Sequence, residues 1–250
     1  PKPLRCISCA ESGYADLAMI GEVPDECENV DAVDFSDFLQ ELKHASDVKT
    51  VVVDSLSGVA QFMKTSILET VYSTDGRGAR LSPEDSLRNF GSFSEGWRIH
   101  GPLWAEKLEQ ECNLLRSKGV NVILLGHTKI ERSKNIVSTD YQSAMLNMES
   151  WPRSVLTKWA QAVLFMTMDF DLRITKKWKG TPTEAKVNAA LEDEVSRIIY
   201  TTKHPSHSAK NRLNLPTFIH MGDSATEAYE NFLDKLPTPI QSALTKKESN

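Results

Sequence analysis

The stretch VKTVVVDSLSGVAQF, residues 48–62, decides the fold. Its centre, Thr50 to Val53, is β-branched throughout, and such side chains sit best on a pleated strand. The run is strand-forming on both faces, which suits a parallel strand covered on both sides. It ends abruptly in Asp54 and Ser55, and helix signals follow from Ser57 to about Tyr72. A carboxylate at the carboxyl end of a core strand needs a partner, because burying an unpaired charge is costly. That partner is a backbone turn, a lysine or a magnesium ion.

The flanking sequence repeats this rhythm. Residues 4–9 (LRCISC) read as a short strand running into AESGY. Val30 to Phe35 is a second apolar stretch, followed by a helix from Ser36 to His44 with Asp37 near its start. Residues 73–101 are rich in Gly, Ser and charge and read as a long functional loop with one helical turn. Helix returns from Pro102 to Lys118, with Leu103, Leu108, Cys112 and Leu115 as its apolar stripe. Gly119 stops it, and VNVILLGH is the second clear core strand. Residues 128–150 are polar and loop-like. A helix from Pro152 leads into the strand QAVLFMTMDFDLRI, residues 178–194 make an exposed excursion, and SRIIYTTKH returns as an antiparallel partner. TFIHM is a last strand, Ala225 to Leu236 a last helix, and 237–250 a mobile tail. Strands alternating with helices predict an α/β fold, a mostly parallel twisted sheet flanked by helices with an antiparallel extension. One domain over 1–236 is the simplest count.

Composition narrows the function. A chain of 250 residues with 40% hydrophobic content can bury a large core, and its net charge of -5 leaves nucleic-acid contacts to local basic clusters. No apolar run is long enough to span a membrane. Four cysteines are too few for a disulfide scaffold, and Cys6 and Cys9, though spaced C-x-x-C, have no second pair at zinc-finger distance. The expectation is a reduced, cytoplasmic protein in which Cys6 fills a strand position.

Several side chains could carry chemistry, and each has a plainer reading. Asp54 either holds a magnesium ion through water or caps the following helix. His127, ending NVILLGHTK, sits where ligands bind in open α/β sheets, and there it senses a phosphate or is simply a bonded loop histidine. Glu11 in SCAESG either deprotonates a water or lies at a helix entry. Lys210 and Arg212 in AKNRLNLP stand two residues apart, so an extended segment points both to one side. They either reach a neighbour's phosphates or form a solvated basic turn.

In order, PKPL, AES, KTVVVDSLSGV, LRSKGVNVILLGHTKIE, DY, KWAQAVLF and AKNRLNLP resemble the RecA/RadA class of P-loop ATPases. Among these the pattern is most similar to phage-encoded RecA-like proteins of single-strand annealing and recombination. The resemblance covers roughly residues 1–220. It implies a RecA-like P-loop core that binds ATP and Mg2+ between subunits of a ring or filament and acts on single-stranded DNA in the host cytoplasm. Asp54 is then the magnesium aspartate (the Walker B position), Ser55 its companion, Glu11 the catalytic glutamate and His127 the sensor. Lys210 and Arg212 act across the subunit boundary. The loops 73–101 and 128–150 fall where such proteins carry DNA-binding loops, so Arg77, Arg80, Arg88, Lys129, Arg132 and Lys134 would neutralise phosphates. Phe90, Phe93 and Trp97 would either offer stacking faces or pack the loop onto its own body. Two departures stand out. Gln161 replaces a frequent aspartate, and no G-x-x-x-x-G-K-[ST] occurs, so the expectation is that this Walker A loop precedes Pro1. Two alternatives stay open: a non-hydrolysing DNA-binding or scaffold subunit with a decayed nucleotide site, and a helicase-type or loader ATPase.

Overall fold

The computed structural model describes residues 3–23, 26–75, 77–90, 95–133, 140–169, 172–178, 181–187 and 196–245. Within them, 83, 87–89, 169, 172–178, 181–187, 196 and 243–245 are described by backbone alone. By its contacts the chain divides into two compact units, 1–131 with 144–160, and 132–143 with 161–250.

The first unit is built on β1 (Leu4–Cys9), α1 (Gly13–Met19), β2 (Cys27–Ala32), α2 (Phe35–His44), β3 (Thr50–Asp54) and α3 (Leu56–Thr70). It continues through α4 (Pro83–Phe90), α5 (Glu95–Ile99), α6 (Gly101–Ser117) and β4 (Asn121–Leu124). Strands β2, β1, β3 and β4 lie in that order in one sheet, every pair parallel. Alternation puts Ile7, Cys9, Val51 and Val53 on one face, all at 0% exposure, and they share a core with Phe38, Leu42, Met63, Ile67 and Leu108. The opposite face is thinner than the expectation of two covered sides. Along the row Cys6–Val52–Ile123, Val52 is half-buried and Ile123 is 46% exposed.

Helix ends follow from local chemistry. Asp34 caps α2 by accepting from the Asp37 backbone N–H at 2.8 Å, and Pro102 occupies the first turn of α6. In α6 the buried stripe is Trp104, Leu108, Cys112 and Leu115, whereas Leu103, expected in it, is 49% exposed. The reason is angular: 104, 108, 112 and 115 follow the four-and-three spacing, and residue 103 sits about 100° off that line.

Both expected loops carry regular structure. In 73–101, Asp75 accepts from the Arg77 and Ala79 backbone N–H groups at 2.9 Å and closes a turn through Gly78, φ 89°. Helices α4 and α5 follow it. Phe90 and Trp97 are buried, edge to face at 5.7 Å, and belong to the core rather than to a stacking surface. Phe93 lies outside the described residues. In 128–150, β5 (Thr128–Ser133) and β6 (Tyr141–Leu146) form a two-stranded sheet ahead of α7 (Ser150–Trp159). Alternating β-capable and charged residues such as TKIERS pair readily once a partner strand is at hand.

In the second unit the stretch expected as one long strand is three: β7 (Ala162–Val163), β8 (Phe165–Asp169) and β9 (Leu172–Trp178). The excursion after it holds β10 (Thr181–Val187), antiparallel to β9. Next come β11 (Ser196–Tyr200), β12 (Lys210–Asn211) and β13 (Phe218–Gly222), and the expected antiparallel extension is the sheet β13-β11-β8. Helix α8 (Ala225–Lys235) opens with a capping box between Ser224 and Glu227. Residues 237–250, expected as a mobile tail, contain α9 (Thr238–Thr245), whose Ile240 packs against the cluster formed by Ile199, Leu215, Ile219, Met221 and Leu236.

Candidate nucleotide site

The carboxyl ends of β1, β3 and β4 bring three sequence-predicted residues together. Glu11 Oε1 accepts a hydrogen bond from Ser55 Oγ at 2.8 Å and faces His127 Nε2 at 3.1 Å. The carboxylate fixes the tautomer, so Nε2 carries the hydrogen. Ser55 is 1% exposed, Glu11 partly shielded and His127 open to solvent. The arrangement is therefore a hydrogen-bonded chain running from the buried end of β3 to the surface.

Backbone contacts hold the chain in place. The Leu56 N–H donates to the Leu125 carbonyl at 2.8 Å, tying the start of α3 to the segment that carries His127. The Asn147 N–H donates to the His127 carbonyl at 2.7 Å and anchors it from the other side. Gly58 lets α3 lie directly on β1: a Cβ there would stand 1.7 Å from the Cys9 carbonyl oxygen. No composition signal marks this glycine as different from its neighbours, and sequence reasoning passed over it.

Asp54 sits at the tip of β3 beside Glu11. The cap position of α3 is Ser55, not Asp54, and the Ser55 hydroxyl is spent on Glu11 rather than on the helix. A Cβ at Gly13 would come within 3.2 Å of Asp54 Oδ2, so the start of α1 passes close to this carboxylate. Burial pushes the Asp54 pKa up, the charge of Glu11 pushes it further, and His127 pulls it down. A nearby dication would reverse that balance. Hard oxygen donors on Asp54 and Ser55 fit Mg2+, which is commonly held by one or two carboxylates, waters and phosphates. Among the described residues no group of three His, Cys, Asp or Glu forms a metal cage. The thiols of Cys6 and Cys9 are pushed by burial to about 11 and about 12, which keeps them protonated.

Lys210 and Arg212 lie in the second unit. Lys210 pairs with Val163 in the short β7–β12 ladder, and the Arg212 N–H donates to the Gln161 carbonyl at 3.0 Å. Burial and the charge of Arg212 together lower the Lys210 pKa. The residue between them, Asn211, was missed. Its side chain donates to the Leu215 carbonyl at 2.7 Å and accepts from the Leu213 and Leu215 N–H groups, fixing the turn that presents both cations.

The six basic residues expected on DNA loops separate. Arg77 and Arg80 are exposed on the Asp75 turn. Lys129 pairs with Glu131 at 3.1 Å, and Arg153, at 2.6 Å from the same carboxylate, holds the Glu131 pKa down. Arg132 pairs with Asp140 at 3.1 Å. The Arg88 side chain and Lys134 lie outside the described residues.

An all-parallel sheet flanked by helices, with acidic and hydroxyl groups gathered beyond its carboxyl edge, is the core of a P-loop ATPase. A family model described as an AAA domain matches residues 21–213, most of the chain, and the protein belongs to that family. The match includes Asp54, Ser55, His127, Lys210 and Arg212, and Glu11 precedes it. Membership brings nucleotide binding and ATPase chemistry in general. Comparison with curated proteins returns no match. Among the described residues no helix is long and apolar enough to cross a membrane.

Proposed function

We propose that the protein is a DNA-dependent ATPase of the phage recombination type, working in the host cytoplasm as a ring or filament on single-stranded DNA. The observation that carries the reading is the convergence of Ser55, Glu11 and His127 beside Asp54. Asp54 and Ser55 would hold Mg2+, which supplies charge neutralisation at the phosphates. Glu11 orients a water and accepts its proton, a role for which a carboxylate bonded to two neighbours is already aimed. His127 reports on that carboxylate from the solvent side. Lys210 and Arg212, fixed by Asn211, reach the phosphates bound by a neighbouring copy.

The test is ATP turnover by the full-length protein, with and without single-stranded DNA. Glu11→Gln should lower turnover by about 10²- to 10⁴-fold while leaving nucleotide binding nearly intact. Turnover unchanged in both Glu11→Gln and Asp54→Ala would remove the site assignment. DNA binding with no turnover in the wild type would favour the scaffold reading instead.

A further inference from the structure

We infer that the second unit carries a base-stacking platform for single-stranded nucleic acid on the β13-β11-β8 sheet. The choice of ligand rests on the proposed reading above. The location does not, because none of these residues belongs to the nucleotide site or to the basic loops.

Both faces of the sheet bury apolar side chains, Ile199 and Ile219 on one and Ile198 on the other. Ile199 and Ile219 point towards α8 and are 5% and 3% exposed, in a cluster with Phe232 and Leu236. On the other face Phe165, Tyr200 and Phe218 form one cross-strand row, since Tyr200 is the register partner of both of the others. Two rows on, His220 lies edge to face with Phe218 at 5.3 Å. A second series of rings rises off this row. His207 lies over Phe165 at 4.8 Å and 9°, and His204 over His207 at 5.5 Å and 28°. The ladder starts half-buried at Phe165, passes through buried His207 and ends in solvent at His204, while Phe218, across Tyr200 in the row, is 46% exposed. His204, Phe218 and His220 thus leave ring surface open to solvent, and exposed rings on a sheet are how nucleic-acid-binding sheets receive unpaired bases.

The ladder is held rigid before any ligand arrives. His207 Nε2 lies 3.3 Å from the Thr202 carbonyl, which makes that nitrogen the donor and Nδ1 the acceptor. Ser206 Oγ then donates to His207 Nδ1 at 3.0 Å and meets His204 Nδ1 at 2.8 Å. Backbone bonds in both directions between His204 and His207 close the loop. A preset platform loses little entropy when a base lands on it.

Charge points to the same occupant. The stretch 198–209, which carries Tyr200, His204 and His207, contains Lys203 and neither Asp nor Glu, in a chain whose net charge is -5. An aromatic stretch with a cation and no carboxylate of its own, on an acidic protein, complements a phosphate backbone with exposed bases.

The experiment uses the full chain and a fluorescein-labelled oligothymidylate, followed by anisotropy across a salt series. Phe218→Ala and His204→Ala should each weaken binding by about 5-fold or more, and Phe218→Trp should restore it. Lys203→Ala should lower affinity and reduce the salt slope by about one. Both truncated rings are exposed, so unchanged circular dichroism and unchanged basal ATP turnover separate lost contact from lost fold. If the wild type binds and the ring variants bind equally well, the platform is overturned and the single-strand reading survives. If the wild type does not bind the oligonucleotide, both fall. Equal competition by a duplex of the same length would also overturn the platform, since paired bases offer no free faces.

Discussion

Gly58→Ala tests how the site is assembled, because the structure leaves no room for a single methyl group. The added Cβ would lie 1.7 Å from the Cys9 carbonyl oxygen, 2.6 Å from its carbon and 3.2 Å from the Cys9 Cβ. Two of those three atoms are backbone at the end of a central strand, so no rotamer change relieves the clash. Ordinary contact needs α3 to retreat by roughly 1.7 Å, and overpacking of that severity reaches the upper end of 1–3 kcal/mol. For a chain of this size about 3 kcal/mol lowers Tm by about 6–12 °C. The retreat also carries Ser55 away from Glu11, so magnesium-dependent binding of a fluorescent ATP analogue should weaken along with stability. Gly78→Ala is the control. Its φ of 89° makes alanine strained, but nothing lies within 4 Å, so a loss of about 1–2 kcal/mol with normal nucleotide binding is expected. Thermal and urea unfolding of both variants decide it. A Gly58→Ala protein as stable as the wild type would show that α3 does not rest on the Cys9 carbonyl.

Asp54→Asn should raise stability at neutral pH while abolishing magnesium dependence. The folded-state pKa of Asp54 lies above its unfolded value, so the folded wild type binds the extra proton and loses stability as pH rises through that window. Urea midpoints that fail to diverge between variant and wild type above the ordinary aspartate range would contradict this. His207 works in the opposite sense, with a folded pKa lowered by burial and by His204. The unfolded chain protonates first as pH falls below about 6.5, so stability drops there, and His207→Gln should flatten that part of the Tm profile. In α6, Leu108→Ala should cost about 2–5 kcal/mol and Leu103→Ala less than about 0.5, measured by urea unfolding. Equal losses would restore Leu103 to the core.

What was legible in the sequence was whatever short-range pattern determines. Thr50–Asp54 announced itself through β-branching, and Glu11, Asp54 and His127 were found because each follows a strand closely enough to be carried to the sheet edge. The charged loops were harder. Gly, Ser and charge masked α4 and α5, whose anchor is the packing of Phe90 on Tyr72 and of Trp97 on Phe90, contacts that only the folded chain makes. Gly58 and Asn211 escaped for a related reason. One matters through what it lacks beside a distant strand, the other through bonds to backbone that only the folded turn presents. The partners of Lys129 and Arg132 were likewise invisible, because a charge does not specify which carboxylate it will meet.

The second face of the parallel sheet is left open towards its β4 edge. Ile123 and Leu125 there, and separately Leu17, Met19 and Ile20 at the end of α1, present oily surface to water at 44–86% exposure. Concentrated solutions of this chain should therefore behave as a sticky colloid kept apart mainly by its modest negative charge. Added salt screens that repulsion and strengthens apolar association, so the protein should fall out of solution from the high-salt side first.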